Sequence, residues 1–323
     1  MRTKWILLIG LVCCLSMAAH AETDKAQQPA AAAAQEDRLP IADPYVMLHK
    51  GTYYAYGTST DGFEVYKSKD LKRWKRGKQL ALSPKDSWGK KWFWAPEVYY
   101  IKSKKKFYMF YSVEEHICVA TSDSPEGPFV QDIKKPILEE EKCIDTNLFI
   151  DDDGTPYLYF VRFTDGNVIW VAEMTPDLKH IKEETLKQCV KAEEPWELKL
   201  PKVTEGPSVI KKDGTYYLIY SANGYTSQDY AVGYATASSP YGPWKKYSGN
   251  PILHRGKDLP ADLVGVGHGA PFRCKDGSYK YIFHAHWSTE KVHPRTSYIC
   301  DFNFMPDGKI TISGEPLRPV VTE

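Results

Sequence analysis

The stretch VTEGPSVIKKDGTYYLIYSANGY, Val203 to Tyr225, decides the fold. It holds one carboxylate, Glu205, between a threonine and a Gly-Pro pair, then an apolar alternation, a Lys-Asp-Gly turn and a strongly β-forming run. Tyr, Ile and Val suit a pleated, half-buried surface, and Asp-Gly between two such runs marks a hairpin. The second half of the stretch recurs. GTYYAYGTS from Gly51, KKFYMFYSV from Lys105, GTPYLYFVR from Gly154, GTYYLIYSA from Gly214 and GSYKYIFHA from Gly277 are copies of one element. Their starts lie roughly 50 to 65 residues apart. Turn residues precede nearly every copy, and several copies lead into another strand and a recurring phrase: KSKDLKRW, TSDSPEGPF, AEMTPDLK, TASSPYGPW. A fixed period of this size in an all-β chain means radial repetition, with each unit one blade of a propeller. The five copies predict an all-β, single-domain, five-bladed β-propeller. A β-sandwich would not give the same strand-turn-phrase order five times. Thr175 to Val190 is the one weak helix candidate.

The innermost strand of each blade should run just upstream of each copy. The five stretches there are IADPYVMLH, WAPEVYYI, IDTNLFID, TEGPSVIK and GHGAPFRC. Each is a short polar or Gly/Pro-containing lead before a β-forming run. Three leads carry carboxylates at matching positions, Asp43, Asp145 and Glu205; the fifth carries His268, and the second has Trp94 where an acid would stand. If innermost strands begin at one end of the central channel, these side chains converge there. Three carboxylates in an aromatic-lined pocket do not share one pKa, because proximity and desolvation push at least one upward. That is what glycoside hydrolysis requires: a protonated acid for the leaving oxygen and an ionised base to activate water.

Composition agrees and excludes alternatives. With 42 basic and 41 acidic side chains the chain lacks the basic surplus that nucleic acid or an anionic membrane demands. Its 22 tyrosines and 9 tryptophans suit strands, and also the stacking of sugar rings. Residues 1–21 read as a secretory signal peptide, with a basic start, an apolar run too short to span a membrane and a small-x-small end at Ala19-His20-Ala21. Residues 22–38, rich in Ala and Gln, read as a flexible linker, and 39–323 as the propeller. The expected location is therefore exported, periplasmic or secreted; Leu11-Val12-Cys13 before Cys14 lacks the small residue that lipoprotein anchoring would use. The five remaining cysteines are Cys118, Cys143, Cys189, Cys274 and Cys300. They form no disulfide framework or zinc signature, although Cys274 and Cys300 could pair within one sheet.

Ala42-Asp43-Pro44, Trp94-Ala95-Pro96-Glu97, Ile144-Asp145 and Thr204-Glu205-Gly206-Pro207, with His268 in GHGAPF, resemble glycoside hydrolase family 43 from about Leu39 to the C-terminus. The resemblance implies a five-bladed propeller acting on arabinose- or xylose-containing oligosaccharides or polysaccharide side chains, with inversion and no required cofactor. It implies Asp43 as general base, Glu205 as general acid, and Asp145 as the acid that raises the pKa of Glu205 and orients it. Base and acid would stand about 6.5–9.5 Å apart to admit a water. His268, counted with Trp94 and Arg295 among the substrate-binding residues, resembles a channel histidine that ligates calcium or another ion, or a water cluster, beneath the sugar; yet calcium wants six or more oxygens. Arg295, in HPRTSY, sits where family members contact the sugar near the acid, and Trp94 reads as a stacking wall. Glu97 reads as structural, Asp151-Asp152-Asp153-Gly154 as a hairpin turn, and His284, His286 and His293 as structural or substrate-proximal. Removal of terminal α-L-arabinofuranosyl units is the first expectation and β-D-xylosidase action the second, ahead of endo-arabinanase or exo-galactanase. A non-catalytic glycan-binding propeller is the reading from another class. The loops 80–93 and 193–202 are expected to set specificity.

Overall fold

Each repeated element is the second strand of a four-, three- or five-stranded sheet, paired antiparallel with the strand before it and the strand after it. The computed structural model describes residues 37–199, 201–256 and 259–323. The expected signal peptide and the linker up to residue 36 lie outside the described residues. Five sheets follow one another along the chain. Their inner strands are Ala42–His49, Phe93–Ile101, Cys143–Ile150, Thr204–Lys212 and Gly267–Arg273. Each contacts the next, and the fifth contacts the first, so the inner strands close a ring. Blade two has three strands and blade one gains a fifth, Val320–Val321, which pairs parallel with Arg73–Arg76. Leu39 N–H donates to Pro319 O and Ser297 N–H to Leu39 O, so both ends of the unit are sewn into the seam between blades five and one.

The strands are apolar on both faces because each blade is buried on both sides. In Lys106–Val113, Phe107, Met109 and Tyr111 join a cluster with Tyr56 and Phe63 of blade one, while Tyr108 and Phe110 join one with Leu148 and Leu158 of blade three. The same period-2 division holds in Thr215–Ala222: Tyr217 and Ile219 face blade five, and Leu218 and Tyr220 face blade three. A further cluster joins blades five and one around Trp74, Phe272 and Ile282. The hydrophobic core is thus divided among the gaps between blades, and none of it fills the axis.

Thr175 to Val190 is not a helix. Thr175 and Asp177 bond their own neighbours, with Lys179 N–H donating to Asp177 Oδ1 at 3.1 Å, and such side chains compete with helical backbone bonds. A tight turn, a short 3₁₀ segment at Glu183–Thr185 and an edge strand at Lys187–Val190 result, while Met174, Leu178 and Ile181 still reach the core.

What positions the site is a β-bulge that recurs in every inner strand. The pairing register slips between Ala42 and Tyr45, Trp94 and Glu97, Ile144 and Asn147, Glu205 and Ser208, and Gly267 and Ala270. The second residue of each bulge is left-handed: Asp43 (φ 50°), Ala95 (44°), Asp145 (58°), Gly206 (57°) and His268 (35°). The structural equivalence therefore differs from the one read in the sequence. Asp43, Asp145 and His268 do match, but Glu205 and Trp94 occupy the preceding position, in register with Ala42, Ile144 and Gly267. A left-handed non-glycine residue costs of order 1–3 kcal/mol, and the neighbouring blade offsets it. Ala95 N–H donates to Thr58 Oγ1 (3.0 Å), Asp145 N–H to Ser112 Oγ (2.9 Å), His268 N–H to Ser221 Oγ (2.7 Å) and Asp43 N–H to His284 Nδ1 (3.2 Å). Blade three offers only Val161 at that place, and there the Asp145 carboxylate itself accepts from Gly206 N–H at 3.1 Å. Five bulges thus find acceptors one blade back.

Replacing Thr58 with valine leaves the buried Ala95 N–H without its acceptor. The expected loss in unfolding free energy is about 1–3 kcal/mol, with Thr58→Ser close to wild type. Chemical denaturation of the three proteins side by side checks it.

Candidate active site

Because a bulge turns two successive residues toward the same side, both of its positions open on one pocket. Trp94, Ile144 and Glu205 line it from the first position, and Asp43, Asp145 and His268 from the second. The pocket measures about 410 Å³. A hollow of about 470 Å³ on blade one is larger, but Lys67 and Arg73 there are paired with Glu126 and Asp70. The convergence of three buried carboxylates, and not size, singles out the axial pocket.

The three carboxylates are buried and held in different ways. Asp43 accepts from Arg295 Nη1 at 2.7 Å and Nη2 at 3.1 Å, and from Thr58 Oγ1 at 2.5 Å. Nδ1 of His268 and of His284 stand 3.3 and 3.2 Å from its Oδ1. Burial works to raise its pKa, but the charge of Arg295 leads a larger set of opposing interactions, and the carboxyl is held well below its usual range. Among the described residues no lysine or arginine pairs with Glu205, although the nearby His268 works to lower its pKa. Its Oε1 accepts from Tyr230 Oη at 2.7 Å and its Oε2 from Asn167 Nδ2 at 2.9 Å. Burial, followed by the nearby charge of Asp145, pushes it up to about 7. Asp145 is likewise pushed up to about 7, by burial and then by the charge of Asp43. Gly206, the residue after Glu205, is what Asp145 holds, so the third acid grips the backbone that aims the second. A Cβ at Gly206 would come within 2.8 Å of the His268 ring, and the glycine is required there by contact as well as by φ.

His268 turns its Nδ1 to Asp43 and, at 3.8 Å, to Asp145. Below it lies an axial cavity of about 10 Å³, room for about one water, bounded by Ala95, Glu97 and Gly206 among others. Among the described residues no group of three His, Cys, Asp or Glu side chains is arranged to hold a metal ion. Calcium takes six to eight oxygens, so these residues do not by themselves form a calcium cage. Glu97 is more than a surface acid: burial pushes it up to about 8, and it accepts from Tyr99 Oη and from Asn147 Nδ2 (2.9 Å) across the blade boundary.

Arg295 lies against Asp43, and the face of its guanidinium sits 4.5 Å from the Tyr225 ring. His286 Nε2 fixes that loop through Tyr225 O at 2.8 Å. Trp94 lines the pocket. Asp151 pairs with Lys211 and Tyr216 away from the pocket, and the cysteines among the described residues are free thiols, Cys274 and Cys300 included. Residue-by-residue reading missed Thr58, Asn167, Tyr225 and Tyr230. Thr58 had a signal: it holds the eighth place of its repeat copy, where Ser112, Val161, Ser221 and His284 stand in the others. Asn167 opens the third strand of blade three and Tyr230 stands just before that of blade four, with no common motif, so only the fold brings them to Glu205.

The model of the glycosyl hydrolases family 43 matches residues 38–310. A crystal structure described as an endo-1,4-β-xylanase from Bacteroides thetaiotaomicron VPI-5482 is 63% identical, with a TM-score of 0.86 over 88% of this chain and 98% of that one. A β-D-galactofuranosidase of Aspergillus niger is 27% identical over 75% of this chain and 73% of its own length. An arabinoxylan arabinofuranohydrolase of Bacillus subtilis is 27% identical over 74% of this chain, which spans 56% of that protein. A five-bladed propeller with three converging carboxylates, matched by the family model over nearly all of the described residues, makes this chain a member of glycoside hydrolase family 43.

Proposed function

We propose that this chain removes terminal α-L-arabinofuranosyl units from arabinose-containing oligosaccharides or polysaccharide side chains, with inversion, after export from the cytoplasm. The observation that supports it best is the division of ionisation within one pocket. Asp43, paired with Arg295, stays a carboxylate, while Glu205 keeps its proton up to about 7. In this reading Asp43 takes a proton from water as the water attacks the anomeric carbon. Glu205 delivers its proton to the departing glycosidic oxygen, and the sugar is released with its configuration inverted. Asp145 raises the pKa of Glu205 and, through Gly206 N–H, fixes its approach. Trp94 and Arg295 face the sugar, and His268 holds Asp43 and Asp145 in their places.

Furanoside names among the relatives, on galactose and on arabinose, favour the furanosyl reading. The xylanase description of the 63% identical structure favours a second, β-D-xylosyl linkages. A binding module without chemistry has no use for a desolvated acid, whose burial only costs stability.

Aryl α-L-arabinofuranoside and β-D-xyloside substrates separate the two sugars. Asp43→Asn is expected to lose about 10²–10⁴-fold in kcat on the preferred one. Glu205→Gln should lose most on natural linkages and least on aryl leaving groups that need little protonation. An unimpaired Asp43→Asn, or a wild type that turns over neither substrate, contradicts the assignment.

The pH profile carries a second expectation. The acid must be protonated, so kcat/KM falls as pH rises through about 7, and the acid limb lies below the ordinary carboxylate range because Asp43 is depressed. Tyr230→Phe removes a hydrogen bond that favours ionised Glu205 and moves the alkaline limb up. Asp145→Asn removes a negative charge and moves it down. Shifts in one common direction would sink the assignment of that limb.

A further inference from the structure

The segment Lys91-Trp92-Phe93-Trp94 enters blade two at the rim of the pocket. Phe93 is fully buried, packed edge-on against Phe63 at 5.4 Å. Strand alternation sends Trp94 the other way, and Trp92 stands just before the strand, which begins at Phe93. Trp94 lines the pocket, and Trp92 lies beyond it with 43% of its surface exposed. The two indoles are within 18° of parallel, with centroids 6.1 Å apart. That is wider than face-to-face contact, so the rings are offset and extend one another outward. Trp92 is also left-handed, with φ 60°, an unusual backbone state for a bulky side chain. Strain of this kind persists only where the surroundings enforce it. Lys90 N–H donates to Glu114 Oε1 at 2.9 Å, Glu114 N–H to Lys91 O at 3.2 Å and Ser59 N–H to Phe93 O at 2.8 Å. An exposed, strained and firmly tethered tryptophan gains little from burial, which points to a ligand. The rest of the exposed surface agrees. Of the exposed aromatic residues Trp92, Tyr100, Phe163 and Tyr225, both Phe163 and Tyr225 line the same pocket.

We infer that Trp92 is a platform for the substrate's leaving-group side, stacking the sugar one or more units beyond the one held against Trp94. The inference rests on the hydrolase reading for which end of the glycan lies outward. The ligand class is a neutral, pentose-containing glycan chain, whose C–H faces pack on the electron-rich ring faces. The Lys91 ammonium, 4.4 Å from the Trp92 ring centroid on a flexible stem, is the group that the sugar displaces. Substrates with a short aryl aglycone do not use the whole platform, so Trp92 selects for chain length and acts on KM more than on kcat.

The test separates binding from turnover. Xylohexaose and arabinohexaose are titrated calorimetrically into Glu205→Gln protein, with and without Trp92→Ala, and the same tryptophan change is assayed with Glu205 intact. For whichever hexaose binds, Trp92→Ala is expected to weaken affinity about tenfold, with Trp92→Tyr recovering most of it. The ratio of kcat/KM on that hexaose to kcat/KM on the aryl pentoside should fall by about the same factor. Equal hexaose affinity with and without the indole overturns the platform. So does an equal fractional loss on both substrates, which would mean that Trp92 merely supports Trp94, and so does failure of both hexaoses to bind. The hydrolase reading fails differently, by absent turnover of aryl pentosides in a folded wild type, and the calorimetry still decides the platform.

Discussion

The left-handed bulge at the start of each inner strand is the constraint on which the site depends. It turns two consecutive side chains toward the axis, and it exposes one backbone N–H that must find an acceptor. That acceptor comes from the second strand of the preceding blade, so the spacing of the blades and the aim of the site residues are set by one set of hydrogen bonds. The ring is regular in four places and broken in one. Where Val161 offers no acceptor, the carboxylate of Asp145 fills the role, and a residue of the site becomes part of the scaffold. A functional group that also satisfies a buried amide cannot wander from its position, and this is preorganisation by the fold.

The same ring explains why three acids in one pocket behave differently. All are buried, and burial alone would raise each pKa. Asp43 is the acid that pairs directly with the Arg295 guanidinium, brought there from blade five across its seam with blade one. Glu205 sits one bulge position earlier, beyond that cation, with a phenol and an amide as its partners. Its neighbour Asp145 adds negative charge and no compensation. The ion pair with Arg295, which neither Asp145 nor Glu205 shares, separates the one carboxyl that gives up its proton early from the two that hold theirs up to about 7.

The blade count, the five inner strands and the residues Asp43, Asp145, Glu205, His268, Trp94 and Arg295 were legible in the sequence, because repeat spacing and turn residues carry them locally. The offset of Glu205 was not. Glu-Gly-Pro and Ala-Asp-Pro look alike as acids beside a proline, and only the slipped pairing shows that Gly206, not Glu205, stands where Asp43 does. Tyr230 and Asn167 were hidden for another reason: their contacts with Glu205 span 25 and 38 residues, and no periodicity links them to it. The helical pattern of Thr175 to Val190 misled because Met174, Leu178 and Ile181 reach one core cluster from a turn as well as they would from a helix.

In the proposed mechanism the ring of bulges keeps Asp43 ionised while Glu205 and Asp145 hold their protons up to about 7. Titration of carboxyl ¹³C shifts in protein labelled at Asp and Glu, assigned through Asp43→Asn, Asp145→Asn and Glu205→Gln, tests it most directly. The Asp43 carboxyl is expected to remain ionised well below the ordinary aspartate range, and the Glu205 carboxyl to titrate near 7. Three carboxyls all titrating at their ordinary values of about 4 would contradict it.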